Sequence, residues 1–227
     1  MVLQACQEPD VGCFSRKKME DEKLCDWRGA FFLSSHVWYS FSSKCILKTI
    51  GYWISYWLGK KNKSIPLSII FEESQFFHLA GLQHLTDRIT LLFGERSEIF
   101  RKILIGTISA KQIESSVFYS EIADRFKYLS FLETIMDSNK TILKYNPQLE
   151  AFSSLMADFL LKNELQARNI FTFLSKDNLR GKYFCRSFFP QTDKDYSKNQ
   201  TNWTLLYKKE VKKSTGQETI LLDKVKK

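Results

Sequence analysis

The chain has 227 residues, 44% of them hydrophobic and 15% aromatic, and its 19 Phe far outnumber 9 Gly and 4 Pro. That length fits one ordinary domain plus an extension, and the composition excludes disordered, collagen-like and low-complexity classes. A formal net charge of +9, with eleven Lys or Arg against five Asp or Glu over residues 181–227, favours a polyanionic partner: RNA, DNA or an anionic membrane surface.

Residues 1–48 sustain neither a helical nor an alternating pattern and hold four of the five cysteines, Cys6, Cys13, Cys25 and Cys45. They read as a poorly defined N-terminal extension with Met19 as an alternative start, leaving 49–227 as one domain. With Cys185 the count is odd and contains no CxxC pair, which suits a reducing, cytoplasmic setting. No zinc-ligand spacing appears, so neither a metal nor any other cofactor is expected. The most apolar stretch, residues 29–50, is broken by His36, Lys44 and Lys48. It falls short of the roughly 18–20 apolar residues of a membrane span, and no signal-peptide pattern is present. No membrane partner is expected.

From Thr49 the pattern becomes regular. The aromatic run Tyr52–Leu58, the polar turn at residues 59–64 and the apolar run Ile65–Phe71 predict a β-hairpin. Glu72–Phe93 reads as helical, with Gly81 as a bend. Ser97–Leu104 predicts a helix stopped by Gly106, and Ser109–Ser116 a short helix capped by Ser109. Ile122, Phe126, Leu129, Leu132 and Ile135 mark one longer amphipathic helix up to Met136. After Asn146-Pro147, strands are predicted at Leu155–Leu161 (a segment that also fits a helix), Ile170–Leu174, Tyr183–Phe189 and Trp203–Val211, with Thr219–Leu222 closing the sheet. The expected fold is α+β: a β-hairpin, then a helical middle segment packed on a mainly antiparallel sheet.

P-loop, HExxH, GxSxG and paired-glycine signatures are absent. What stands out is Phe76-Phe77-His78-Leu79-Ala80-Gly81-Leu82-Gln83-His84-Leu85-Thr86-Asp87, followed by Tyr183-Phe184-Cys185-Arg186-Ser187-Phe188-Phe189-Pro190. With Asp124-Arg125 in the Ser116–Leu129 helix, Phe171–Leu174, Asp195-Tyr196, Asn199-Gln200 and Leu205–Lys208, these stretches resemble the fourth phage family of barnase–EndoU–colicin–RelE-like nucleases. The resemblance covers about Thr49 to Asp223. It implies a compact helix-plus-sheet fold and a metal-independent ribonuclease-type activity, in a family that accompanies phage and mobile-element proteins. It also draws attention to Ser187.

Metal-free RNA cleavage needs a base for the ribose 2′-hydroxyl proton, an acid for the leaving oxygen, and cations where charge builds on the phosphate. Histidine, with an unperturbed pKa of about 6.5, suits either proton-transfer role. On one straight helix His78 and His84 would diverge by about 240°, so they converge only if Gly81 bends the chain. The chemistry makes His78, Arg125 and Arg186 candidate catalytic residues and the resemblance adds Ser187; His84, Lys182, Tyr196 and Gln200 are candidate substrate contacts. Each also has a structural reading: His78 packed and hydrogen-bonded, Arg125 paired with an acid, Tyr196 and Gln200 ordering a loop. Strict alternation puts Lys182 and Arg186 on one face of a strand and Tyr183 and Ser187 on the other, so a bulge is needed to unite them. Phe31-Phe32, Trp53/Trp57 and Phe188-Phe189 are aromatic pairs that could stack on single strands, with core packing the favoured reading for the tryptophans.

Three functions fit: an endoribonuclease acting as a toxin or phage-conflict effector, an inactive nucleic-acid-binding module of the same fold, or a structural protein. RNA is the expected partner, and an immunity protein or antitoxin a further candidate.

Overall fold

The computed structural model describes residues 50–137, 141–150 and 153–225. The expectations for residues 1–48, including Phe31-Phe32 and four of the cysteines, lie outside them.

Strands β1 (Tyr52–Lys60) and β2 (Lys63–Ile70) form the expected hairpin, closed by the pair Lys60↔Lys63, with Lys61 in the left-handed region at φ 51. Five short helices follow: α1 (Phe76–Leu79), α2 (Arg96–Leu104), α3 (Ala110–Glu114), α4 (Ala123–Leu129) and α5 (Leu132–Asp137). The chain then runs through β3 (Thr141–Lys144), β4 (Phe159–Leu165), β5 (Arg168–Lys176), β6 (Tyr183–Pro190), β7 (Thr201–Lys212) and β8 (Glu218–Asp223).

The strands do not make the expected mainly antiparallel sheet with a helical segment packed on it. The order β1-β2-β6-β5-β4-β3-β7 returns to β1 through a β1–β7 pairing, which closes a seven-stranded barrel, and β8 extends it from β7. The barrel is mixed, because β2 and β6 run parallel where Ile69 meets Tyr183 and Ile70 meets Phe184. Closure rests on β7. Along one edge it pairs with β1; along the other, its first residues pair with β3 and its last with β8. Closing the sheet removes most exposed edges. Thr219–Leu222 does lie in a strand, but that strand is an appendage and does not close the sheet.

Inward residues alternate as a half-buried strand requires. Ile54, Tyr56 and Leu58 of β1, Leu67 and Ile69 of β2, and Phe159 and Leu161 of β4 share one continuous core with Phe76, Phe100 and Phe126 of the helices. Lys208 is drawn into this core, 2% exposed. Its Nζ donates to Met136 O at 2.6 Å and lies 3.2 Å from Asp137 Oδ1, while Tyr56 Oη donates to the same carbonyl at 3.1 Å. Tyr56 and Lys208 are register partners across the β1–β7 seam. The cation and the Tyr56 hydroxyl thus share the Met136 carbonyl near the C-terminal end of α5 and pin that helix to the seam. Lys213, just past the end of β7, likewise donates from Nζ to Phe71 O at 2.9 Å.

Local chemistry explains the other departures. The reading of Glu72–Phe93 as helical fails because Gly81 sits at φ 78; α1 ends there and only 3-10 turns follow. The long helix to Met136 is split into α4 and α5 where the Ser130 hydroxyl bonds back to Lys127 O at 2.7 Å. The strand expected from Leu155 starts at Phe159. The Ser109 cap is present as a full capping box with Gln112. Of the hairpin tryptophans, Trp57 faces outward and is exposed, against the favoured core reading, and Trp53 is half-buried.

Candidate functional site

Strand β6 carries the first half of the site. Cys185 pairs with Leu174 and Ser187 with Phe173, so Arg186 is an extra residue without a partner across β5. This bulge supplies what strict alternation forbade, because such a residue shares a face with its successor. Arg186 and Ser187 both line one groove of about 520 Å³. Cys185 points inward; burial pushes its thiol up and keeps it protonated, with Sγ 3.6 Å from Ser187 O.

Helix α1 carries the second half. It packs on β6, and its His78, half-buried, lines the same groove as Arg186, Ser187 and Arg96. Burial lowers the His78 pKa, Arg96 lowers it further, and Arg186 and His84 add to the effect; a hydrogen-bonding interaction with the Gln83 side chain opposes them. The left-handed turn at Gly81 redirects the chain so that His84 comes within electrostatic reach of His78. Gln83 Nε2 lies 3.3 Å from His84 Nε2. His84 is also lowered, by burial and then by Arg125, with Glu121 opposing.

The arginines sort in an informative way. Of the seven among the described residues, four are ion-paired: Arg88 with Asp87, Arg101 with Glu73, Arg168 with Asp124, and Arg180 with Glu72 and Asp177. Arg96, Arg125 and Arg186 pair with no acid among the described residues, and these three are the ones that depress the two histidines. Arg125 is not an ion-pair partner on its helix. Its guanidinium lies 5.6 Å from the Phe189 ring and its stem lies against Gly81, so it borders the cluster on the His84 side.

The remaining candidates lie elsewhere. The Lys182 ammonium sits 4.0 Å from the Trp53 ring, away from the groove. Tyr196 packs its ring among Phe171, Phe173 and Phe189 at 5.5 to 5.8 Å. Gln200 accepts from Asn146 N at 2.7 Å and donates to Asn146 O at 3.3 Å, which fixes a loop.

Sequence reasoning missed Arg96. Its guanidinium stands 5.7 Å from the Phe77 ring. A detectable signal existed, since an arginine as the first residue of a helix opposes the helix dipole and so calls for another explanation. Among the described residues, no group of three or more His, Cys, Asp or Glu is arranged to hold a metal, and no helix is long and apolar enough to cross a membrane.

No curated protein and no solved structure matches the chain. A model of the family phage-Barnase-EndoU-ColicinE5/D-RelE like nuclease 4 matches residues 43–225. The match spans most of the sequence, and the chain belongs to this nuclease family.

Proposed function

We propose that the groove is the active site of a metal-independent endoribonuclease serving a phage or mobile-element conflict system. One observation carries this reading: three arginines that pair with no acid among the described residues lie within electrostatic reach of two histidines held toward the neutral form. Arg96 and Arg186 line the same groove as like charges, which costs stability, and an anion in the groove offsets that cost. A phosphodiester is the anion that also gives a neutral histidine something to do.

In this mechanism His78 accepts the 2′-hydroxyl proton and the 2′-oxygen attacks phosphorus. The bond from phosphorus to the 5′-oxygen breaks, and the leaving oxygen takes a proton from water in the open groove. The products are a 2′,3′-cyclic phosphate and a 5′-hydroxyl. Arg186 and Arg96 bind the non-bridging oxygens as charge builds, each able to grip two at once, and the Ser187 hydroxyl donates to the same group. Arg125 and His84 hold a neighbouring phosphate. Lys182, Tyr196 and Gln200 keep structural roles. An immunity protein or antitoxin would block such a groove by presenting acidic side chains to it.

The nucleophile belongs to the substrate, which separates RNA from DNA. A single 2′-deoxy substitution at the cleaved nucleotide should abolish cutting and leave binding intact. Unimpaired cutting of that substrate overturns the mechanism. Salt-sensitive RNA binding without any cutting of all-ribose RNA identifies an inactive binding module instead.

A further inference from the structure

Beyond Phe77 lies an apolar pocket of about 590 Å³, bounded by Phe77, Leu82, Gln83, Ile89 and Phe93. Its rim is conspicuously apolar, with Phe93 78% and Ile89 65% exposed. Clustered exposed hydrocarbon of this kind marks a contact surface.

Two features join the pocket to the groove. The Phe77 ring of the pocket is 6.0 Å from the His78 ring and 5.7 Å from the Arg96 guanidinium, and both of those residues line the groove. Gln83 lines the pocket while its side chain interacts with His78. An occupant spanning from the pocket past Phe77 to the groove meets an apolar, aromatic surface at one end and the cations Arg96 and Arg186 at the other. A nucleotide has that combination, with a flat base linked to an anionic phosphate.

We propose that this pocket is a nucleobase subsite, in which the base flanking the cleaved phosphodiester of single-stranded RNA packs on Phe77 and Phe93 and presents its edge to the Gln83 amide. The inference rests on the ribonuclease reading of the groove and adds to it a requirement for unpaired bases. Stacking on aromatic side chains is the usual means by which proteins hold single strands.

The test is fluorescence-anisotropy titration of the full chain with two probes. One is 2′-O-methyl hexauridylate, which has no free 2′-hydroxyl and survives the measurement; the other is the same backbone without bases. The wild type should bind the base-bearing probe more tightly. Phe93→Ala should weaken that probe roughly tenfold and leave the abasic probe unchanged. Ile89→Ala should act in the same direction. Equal wild-type affinity for both probes, or a Phe93→Ala loss that is absent or equal on both, overturns the subsite and leaves the groove reading standing; absence of any effect is also the result for a pocket that serves a protein partner. A wild type that binds neither probe removes the subsite and the ribonuclease reading together.

Discussion

Gly81 and Arg125 are packed so closely that a Cβ on Gly81 would lie 2.9 Å from Arg125 Cδ and 2.9 Å from Ile122 Cγ2. Gly81 also holds a φ of 78 that other residues adopt at a cost. Gly81→Ala should therefore destabilise the protein by about 2–4 kcal/mol, combining backbone strain with overpacking. Urea denaturation checks this, and RNA affinity should fall as Arg125 is displaced. A variant as stable as the wild type would show that the left-handed turn is not needed to bring His84 toward His78.

Arg186 and Arg180 line the same groove but should respond oppositely to removal. Arg180 is committed to Glu72 and Asp177, whereas Arg186 pairs with no acid among the described residues and is exposed on its bulge. Arg186→Ala should leave stability within about 0.5 kcal/mol. It should lower the salt dependence of RNA binding by about one counterion and slow cleavage. Arg180→Ala should leave the salt dependence unchanged. Titrations at several salt concentrations distinguish the two.

The histidines predict a pH dependence with a definite sign. Both His78 and His84 have pKa values lowered from 6.5 in the folded protein. The unfolded chain therefore binds more protons as pH falls below 6.5, and stability drops through that window until the folded-state values are passed. Above 6.5 these groups impose no penalty. Thermal melting between pH 7.5 and 5 should record the loss, and His78→Gln with His84→Gln should remove it. A phosphate in the groove should raise both pKa values, which histidine NMR titration with and without a non-cleavable RNA can read directly.

Gln200 provides a control. Its two hydrogen bonds to Asn146 are exposed and lie away from the groove. Gln200→Ala should cost about 1 kcal/mol of stability and leave the cleavage rate per folded molecule unchanged. A selective loss of activity would return Gln200 to the substrate-binding set.

Parts of this arrangement were legible in the residues themselves. The aromatic and branched run Tyr52–Leu58 against Ile65–Phe71 encodes a hairpin locally, and Ser109 with Gln112 encodes a helix start. Barrel closure was not legible, because it depends on β1 meeting β7 across most of the domain and no short pattern records such a pairing. The four-residue strand Thr141–Lys144 is too short for a period to emerge. His78, Arg186 and Ser187 could be chosen by residue type. Their union required a bulge that contains no glycine and so leaves no mark in Phe184-Cys185-Arg186-Ser187. Arg96 converges with them only through the packing of α2 against α1.

The most direct measurement is the rate at which the full chain cleaves single-stranded RNA in excess EDTA, wild type against His78→Ala. The wild type should cleave the RNA and leave 2′,3′-cyclic phosphate ends, with a loss of about 10²–10⁴-fold in the variant and folding retained. An equal rate for both proteins, or a wild type whose cutting stops in EDTA, would contradict the proposed mechanism.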